Sequence, residues 1–339
     1  MRGKRLALGA ALGALALTIL AGTSFARGNA TIKMAVVTDI GGLNDKSFNQ
    51  AANAGRLKAQ KKLKVQTRVY VTTSASDRLL NLQSAAQAGY GLVFGTGFFM
   101  GDPLNAVAPK FPKTKFAGID VSVSGLAAHP SNVRGIQFKE QEAGYLAGYV
   151  AGLTVKQQGG AQVVSAIGAN DVPAIVRYMG GYRAGARKAN PGITVILSYA
   201  NDPTFSDQAK CKETALNQLG KKTQVIFAVA GGCGLGALNA AKEAGKWGIG
   251  VDVNQSFLGS YILTSAEKDV AQAVFLTTQE FKKNPSKFKG GFDKVFNVKN
   301  GGINYAPLSK KLKNRAAIAK KTNAIKKLIA TGKIKPPAR

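Results

Sequence analysis

At 339 residues, 45% of them hydrophobic, the chain is long enough for two domains and too apolar to be a disordered polyelectrolyte. Its 47 lysines and arginines against 17 acids give a net charge of +30, which calls for an anionic neighbour without naming it. A single histidine, His129, and two cysteines leave little material for a metal cluster or a Cys–His nucleophile.

The chain opens as a secretory signal over residues 1–26. Arg2, Lys4 and Arg5 precede an apolar run over 6–21, and Ser24, Phe25 and Ala26 supply a small-residue exit. The competing reading is an uncleaved anchor, but the run is short for roughly 30 Å of hydrocarbon and lacks a basic stop-transfer flank. Leu20, Ala21 and Gly22 resemble the start of a bacterial lipoprotein motif, yet Thr23 stands where the lipid-bearing cysteine would follow. The expectation is an exported protein, in the periplasm or on the outer side of the cell envelope, without lipid. Removing the segment takes away only those basic residues and no acid, so the charge excess stays with the mature chain.

From Thr31 short apolar, β-branched runs alternate with amphipathic stretches, the pattern of parallel sheets built through helical crossovers. Strands are predicted over 32–38, 65–72, 91–95, 115–120 and 133–138, with helices over 45–61, 76–88, 103–108 and 141–154. A second series places strands over 162–168, 194–199, 224–230 and 248–253, and helices over 173–189, 206–219 and 235–244. Two series of similar length predict an α/β fold of two doubly wound, Rossmann-like lobes. Extra strands near Val133 and Tyr261 count against the competing eight-stranded barrel. The lobes are expected over 31–138 and 139–265. A basic, less regular segment over 266–339 crosses back onto them and ends in a lysine-rich helix over 309–330.

Ligands of open α/β sheets sit at the carboxyl ends of strands. Carboxylates are scarce, yet Asp39, Asp120 and Asp252 each fall at or just after such an end. The loop over 38–50 is the densest candidate: Gly41 and Gly42 permit a tight turn, Asn44 or Asp45 can cap the next helix, and Asp39 offers acceptors. Within it Phe48 is either a core contact or an aromatic platform for a flat ligand. Phe205 sits in a matching polar loop over 201–207 of the second series, so two rings can face one another across a cleft. Gly232, Gly234 and Gly236, with Asp252 one strand later, imitate a dinucleotide-binding fingerprint. In an exported chain the simpler reading is a glycine-rich turn lining the cleft. No P-loop, nucleophile elbow or zinc-protease motif occurs, though a carboxylate pair of the glycosidase kind stays open. Cys211 and Cys233 belong to neighbouring strand-to-helix turns in an oxidising compartment, so a disulfide is expected between them. The basic tail either faces water or meets the anionic cell envelope; nothing points to a specific nucleic acid.

Eight ordered blocks, TDIGGLNDKSFNQ, FAGID, GYLAGYVAG, YRAGARKANPGI, FSDQAK, VIFAVAGGCGLG, WGIGVDVNQ and LTSAEKDV, cover most of residues 31–275. In these blocks the chain resembles the basic membrane protein family of bacterial substrate-binding proteins, whose best-known type is the purine nucleoside receptor. The resemblance implies a type I periplasmic-binding fold that closes on a nucleoside and docks an ABC permease, with no cofactor and no catalysis. Carried over by position, Asp39, Phe48 and Asn49 come from the first loop, Phe205 is the second ring of an aromatic clamp, and Asp120 follows the FAGID strand. Gly232 lies against the ligand, and Asp252 with Lys268 holds the ribose hydroxyls. The alternatives are a receptor for another small polar ligand such as a sugar, an exported nucleoside or glycoside hydrolase, and an NAD-dependent enzyme.

Overall fold

The computed structural model describes residues 32–339, and the signal expected over 1–26 lies outside the described residues. Five short apolar runs form parallel strands β1 (Lys33–Val37), β2 (Gln66–Tyr70), β3 (Leu92–Thr96), β4 (Lys115–Ile119) and β5 (Val133–Phe138). They are linked by helices α1 (Phe48–Leu63), α2 (Asp77–Gln87) and α3 (Gly101–Val107). Alternation in β1 serves both faces of the sheet. Met34 and Val36 join one core, while Ala35 and Val37 join a second with Leu82 of α2 and Leu104 of α3.

The second series starts with α4 (Glu140–Gln158), then β6 (Val163–Gly168), α5 (Pro173–Ala189), β7 (Thr194–Tyr199), α6 (Gln208–Gly220) and β8 (Val225–Val229). It continues with α7 (Gly234–Glu243), β9 (Trp247–Asp252) and β10 (Ile262–Lys268). With β11 (Phe292–Phe296) and β12 (Ile303–Tyr305) added, the strand orders are β11-β5-β4-β3-β1-β2 and β12-β10-β9-β8-β6-β7, so both sheets reverse direction at the equivalent strand, β1 in one and β6 in the other. The chain is therefore an α/β protein of two lobes with parallel sheets.

The expectation of an irregular segment after residue 264 is corrected. Helix α8 (Val270–Lys283) packs on α1, β11 (Phe292–Phe296) extends the first sheet beside β5, and β12 (Ile303–Tyr305) pairs antiparallel with β10. The short strands β11 and β12 carry little apolar alternation of their own and are held by their neighbours. The last helix, α9 (Arg315–Ala330), starts later than the expected 309. Ser309 donates its N–H to Leu263 and its hydroxyl to the Ser260 carbonyl, which keeps this stretch extended against β10.

Three stretches cross between the lobes, at Lys139, at Asp269 and over residues 297–302, and they bond to one another. Lys139 N–H donates to the Phe296 carbonyl at 2.9 Å and Asp269 N–H to Gly302 at 3.0 Å. The buried Glu142 carboxylate accepts from Val298 N–H at 2.6 Å. Beside this hinge α4 lies unusually close to α5. A Cβ on Gly148 would sit 2.0 Å from the Tyr182 carbonyl, and one on Gly185 would sit 2.0 Å from that of Tyr145, so the GYLAGYVAG run is a backbone-contact face.

Candidate functional site

The loops after β1, β3, β6 and β8, the four strands at the two reversal points, converge with those after β4, β7 and β9 on a single cavity. Asp39, Phe48, Asn49, Asp120, Phe205, Asp252 and Lys268, all candidates from the sequence, line it. Gly232 does not. Gly231 takes that place, and Gly232 packs instead on the Phe205 carbonyl and Asp45.

Three lining residues that are not glycine hold left-handed backbone: Asp120 (φ 62°), Phe205 (φ 57°) and Asp252 (φ 64°). Such a conformation costs on the order of 1–3 kcal/mol per residue, so the surrounding structure enforces it. For Phe205 the enforcement is visible. Asp202 ties the loop down by accepting from the N–H groups of Thr204, Ser206 and Asp207, and the Phe205 carbonyl accepts from Cys233 N–H at 3.0 Å. Cys233 is in turn joined by a disulfide to Cys211 of α6, with Cα atoms 5.5 Å apart.

The polar groups form two clusters. In the first, Asp39 Oδ1 accepts from Arg78 Nε at 2.7 Å and from Ile40 N–H at 2.8 Å. The Arg78 guanidinium lies 5.0 Å from the centre of the Phe99 ring, which meets Phe205 edge-on at 6.2 Å. Asn49 spends its amide on the loop itself, accepting from Asp39 N–H at 3.0 Å and donating to the Ile40 carbonyl at 3.2 Å. Burial pushes the Asp39 carboxyl up from its ordinary range, and Arg78 with the Ile40 bond pulls it back down in part.

In the second cluster Lys268 Nζ donates to Asp120 Oδ2 at 2.7 Å and to Glu140 Oε1 at 3.3 Å, and it sits 4.7 Å from the centre of the Phe48 ring. Glu140, the fully buried first residue of α4, also accepts from Arg177 Nε at 2.6 Å. Asp252 Oδ2 accepts from Ser47 Oγ at 2.5 Å. Burial lifts the Asp252 carboxyl to about 6 against the pull of Lys268 and Ser47. Burial opposes the Lys268 charge, but Asp120, Glu140 and Asp252 together outweigh it and hold the ammonium above its usual range. The hydrogen-bond partners of Lys268 are thus Asp120 and Glu140, and Asp252 reaches it only through the field. Asp120 Oδ1 is buried with no hydrogen-bond partner among the described residues, on a side chain that lines the cavity.

Arg78, Ser47, Glu140 and Tyr178, whose hydroxyl donates to Asp252 Oδ1 at 3.4 Å, escaped the strand-end rule. Arg78 comes from a helix flank, and Glu140 stands in a Lys-Glu-Gln-Glu run that reads as a solvated turn. The one sequence signal for Glu140 was the scarcity of acids, which makes two within three residues worth placing.

The glycine run imitating a dinucleotide fingerprint is corrected by its hydrogen bonds. The N–H groups of Cys233, Gly234, Leu235 and Gly236 all donate to protein carbonyls, and a Cβ on Gly236 would sit 1.9 Å from the Gln208 carbonyl. The first amides of α7 are therefore spent within the protein rather than held out to a pyrophosphate. Among the described residues no group of three metal-ligating side chains occurs, and no helix is long and apolar enough to cross a membrane.

Comparison with known proteins agrees with this geometry. The ABC transporter nucleoside-binding protein BmpA of Lactococcus lactis subsp. cremoris is 36% identical over 331 residues, covering 91% of this chain and 90% of that relative. Basic membrane protein B of Borrelia garinii subsp. bavariensis is 32% identical over 289 residues, covering 83% and 82%. A solute-binding protein of an ABC transporter system from Aeropyrum pernix K1 superposes with a TM-score of 0.79 at 26% identity, over 90% of this chain and 94% of that one. A second from Conexibacter woesei DSM 14684 shares the fold, with a TM-score of 0.69 at 24% identity over 91% and 99%. The profile of the family described as "Bmp: ABC transporter substrate-binding protein PnrA-like" matches residues 32–337, nearly all of the described chain. The chain belongs to this Bmp family of ABC transporter substrate-binding proteins.

Proposed function

We propose that the protein captures a nucleoside, purine nucleosides foremost, between its lobes on the outer side of the membrane and delivers it unaltered to an ABC permease. One observation carries this reading: aromatic rings and strand-end carboxylates reach the cavity from both lobes, Phe48, Phe99, Asp39 and Asp120 from the first, Phe205 and Asp252 from the second. A flat base between two rings and a ribose bearing hydroxyls use both features, and the set is complete only when the lobes meet. The base donates to Asp39, and the ribose hydroxyls donate to the unpartnered Asp120 oxygen beside Lys268 and to Asp252. The name of the lactococcal relative, a nucleoside-binding protein, supports the same ligand class. The basic side of the second lobe lets the protein rest weakly against an anionic envelope.

Calorimetric titration with inosine, guanosine and adenosine tests the assignment. The expected result is saturable binding, weakened roughly tenfold or more by Phe205→Ala because a stacked ring is worth about 1–3 kcal/mol. Chromatography of the bound nucleoside after release should return it intact. A sugar that binds where no nucleoside does, or the appearance of free base, rejects the proposal.

A further inference from the structure

Asp39 is the acceptor of the first cluster, and its two oxygens differ. Oδ1 is taken by the Arg78 and Ile40 donors. Oδ2 has no bond to a described residue and lies against Gly97, where a Cβ would come within 2.9 Å of it. Gly97 holds φ 106°, a conformation suited to glycine, so the backbone is shaped to leave room for the carboxylate in this one orientation. Arg78 is itself fixed, nine-tenths buried and laid over the Phe99 ring that carries Phe205. The same guanidinium therefore sets the acceptor and supports one wall of the clamp.

We propose that Arg78 is a positioning residue that keeps Asp39 an oriented, charged acceptor and so makes the cavity select nucleobases that present an N–H donor. A charged carboxylate can only accept, and a base whose facing edge carries only lone pairs meets it with repulsion. A protonated Asp39 would donate as readily as accept, and the distinction would vanish. Of the charged side chains around Asp39, Arg78 from α2 alone weighs on it. Asn49 from α1, Gly97 and Phe99 after β3, and Phe205 and Gly231 from the other lobe bring no charge, and Asp45, Asp120, Asp252 and Lys268, which line the same cavity, are not among the groups that shift it. Without Arg78, burial acts on Asp39 unopposed by any cation.

The inference rests on the nucleoside reading, and the test separates the two. Binding of inosine, which presents a ring N–H, is compared by calorimetry with purine riboside, whose base has no N–H donor, from pH 5 to 8. The ribose is common to both, so titration of Asp252 cancels in the ratio. The wild type is expected to prefer inosine at least tenfold at pH 8. In Arg78→Met the preference is lost toward one at higher pH than in the wild type, and Arg78→Lys, which keeps a cation, restores most of the wild-type profile. No binding of either nucleoside by folded wild type defeats the nucleoside reading. Binding with a wild-type ratio near one at pH 8 defeats the inference, as does a folded Arg78→Met that keeps both the ratio and the pH profile of the wild type. If Arg78→Met does not fold, the wild-type ratio and the Arg78→Lys profile decide the question alone.

Discussion

Asp252 shows how a single carboxylate can serve a site at the expense of the fold. Its carboxyl titrates at about 6 in the folded protein against 3.8 in a free chain, so the native state holds the proton more tightly. Stability from this group is then fully present below about pH 4 and declines as pH rises through about 6. Asp252→Asn keeps an acceptor for Ser47 and suits the left-handed backbone, since asparagine visits that region readily. The variant should match the wild type in urea denaturation at pH 4 and exceed it by up to about 3 kcal/mol at pH 7.5, in the absence of nucleoside. Equal stabilities at both pH values would refute the origin assigned to the shift. The same residue was legible in the sequence because a lone acid ends a strand, whereas its neighbour Ser47 was not, since a serine in a polar loop carries no mark of a partner about two hundred residues away.

At the level of elements, the two lobes are joined at the rim of the cavity by groups outside its lining. Gln255, after β9, accepts from Val251 N–H at 3.0 Å and donates to the Lys46 carbonyl of the opposite lobe at 3.0 Å. Gly250 leaves room for it, since a Cβ there would fall 2.5 Å from the Gln255 amide oxygen. Gln255→Ala removes an interlobe bond worth about 1 kcal/mol, together with the bond to Val251 N–H behind the cavity wall. The expected outcome is about five-fold weaker nucleoside binding seen in the dissociation rate by stopped flow, with association unchanged. An unaltered dissociation rate would show that this contact does not hold the lobes together. Sequence patterning found the nine strands from β1 to β9 and the helices α1 to α7 because most bury a face of their own, and the half-buried edge strands β2 and β7 are still marked by β-branched and aromatic residues. It missed β11 and β12 because their positions are set by β5 and β10, and periodicity reports only what a segment does alone. Helix α8 was overlooked although Val270, Ala273, Val274, Thr277 and Phe281 mark its buried face. Their spacing was there to be read behind a basic composition.

For the whole molecule, charge is spread unevenly. Residues 309–339 carry no acid, and Lys310, Lys311, Lys313, Arg315, Lys320, Lys321, Lys327, Lys333 and Lys335 are exposed, while Ile318, Ile325 and Ile329 turn inward. The protein should co-sediment with vesicles rich in phosphatidylglycerol at low ionic strength and be released by about 0.5 M salt, because screening shortens the reach of exposed charges. Neutral phosphatidylcholine vesicles should retain none of it. Failure to bind anionic vesicles at low salt would leave the positive face as a solvated one. The direction of the charge was plain in composition alone, but its concentration on one side of the second lobe needed the position of α9.

The three crossings at the hinge also set the order in which the molecule can be made. The first sheet lacks its edge until β11 is present, and α1 lacks its cover until α8 is, yet both follow the whole second series in the chain. The first lobe cannot mature when its own residues leave the ribosome or the export channel. It waits for α8 and for β11, a strand that starts more than 150 residues after β5. A polypeptide cut after β10 would carry a nearly complete second lobe and an unfinished first one, and would be a target for proteases rather than half a receptor.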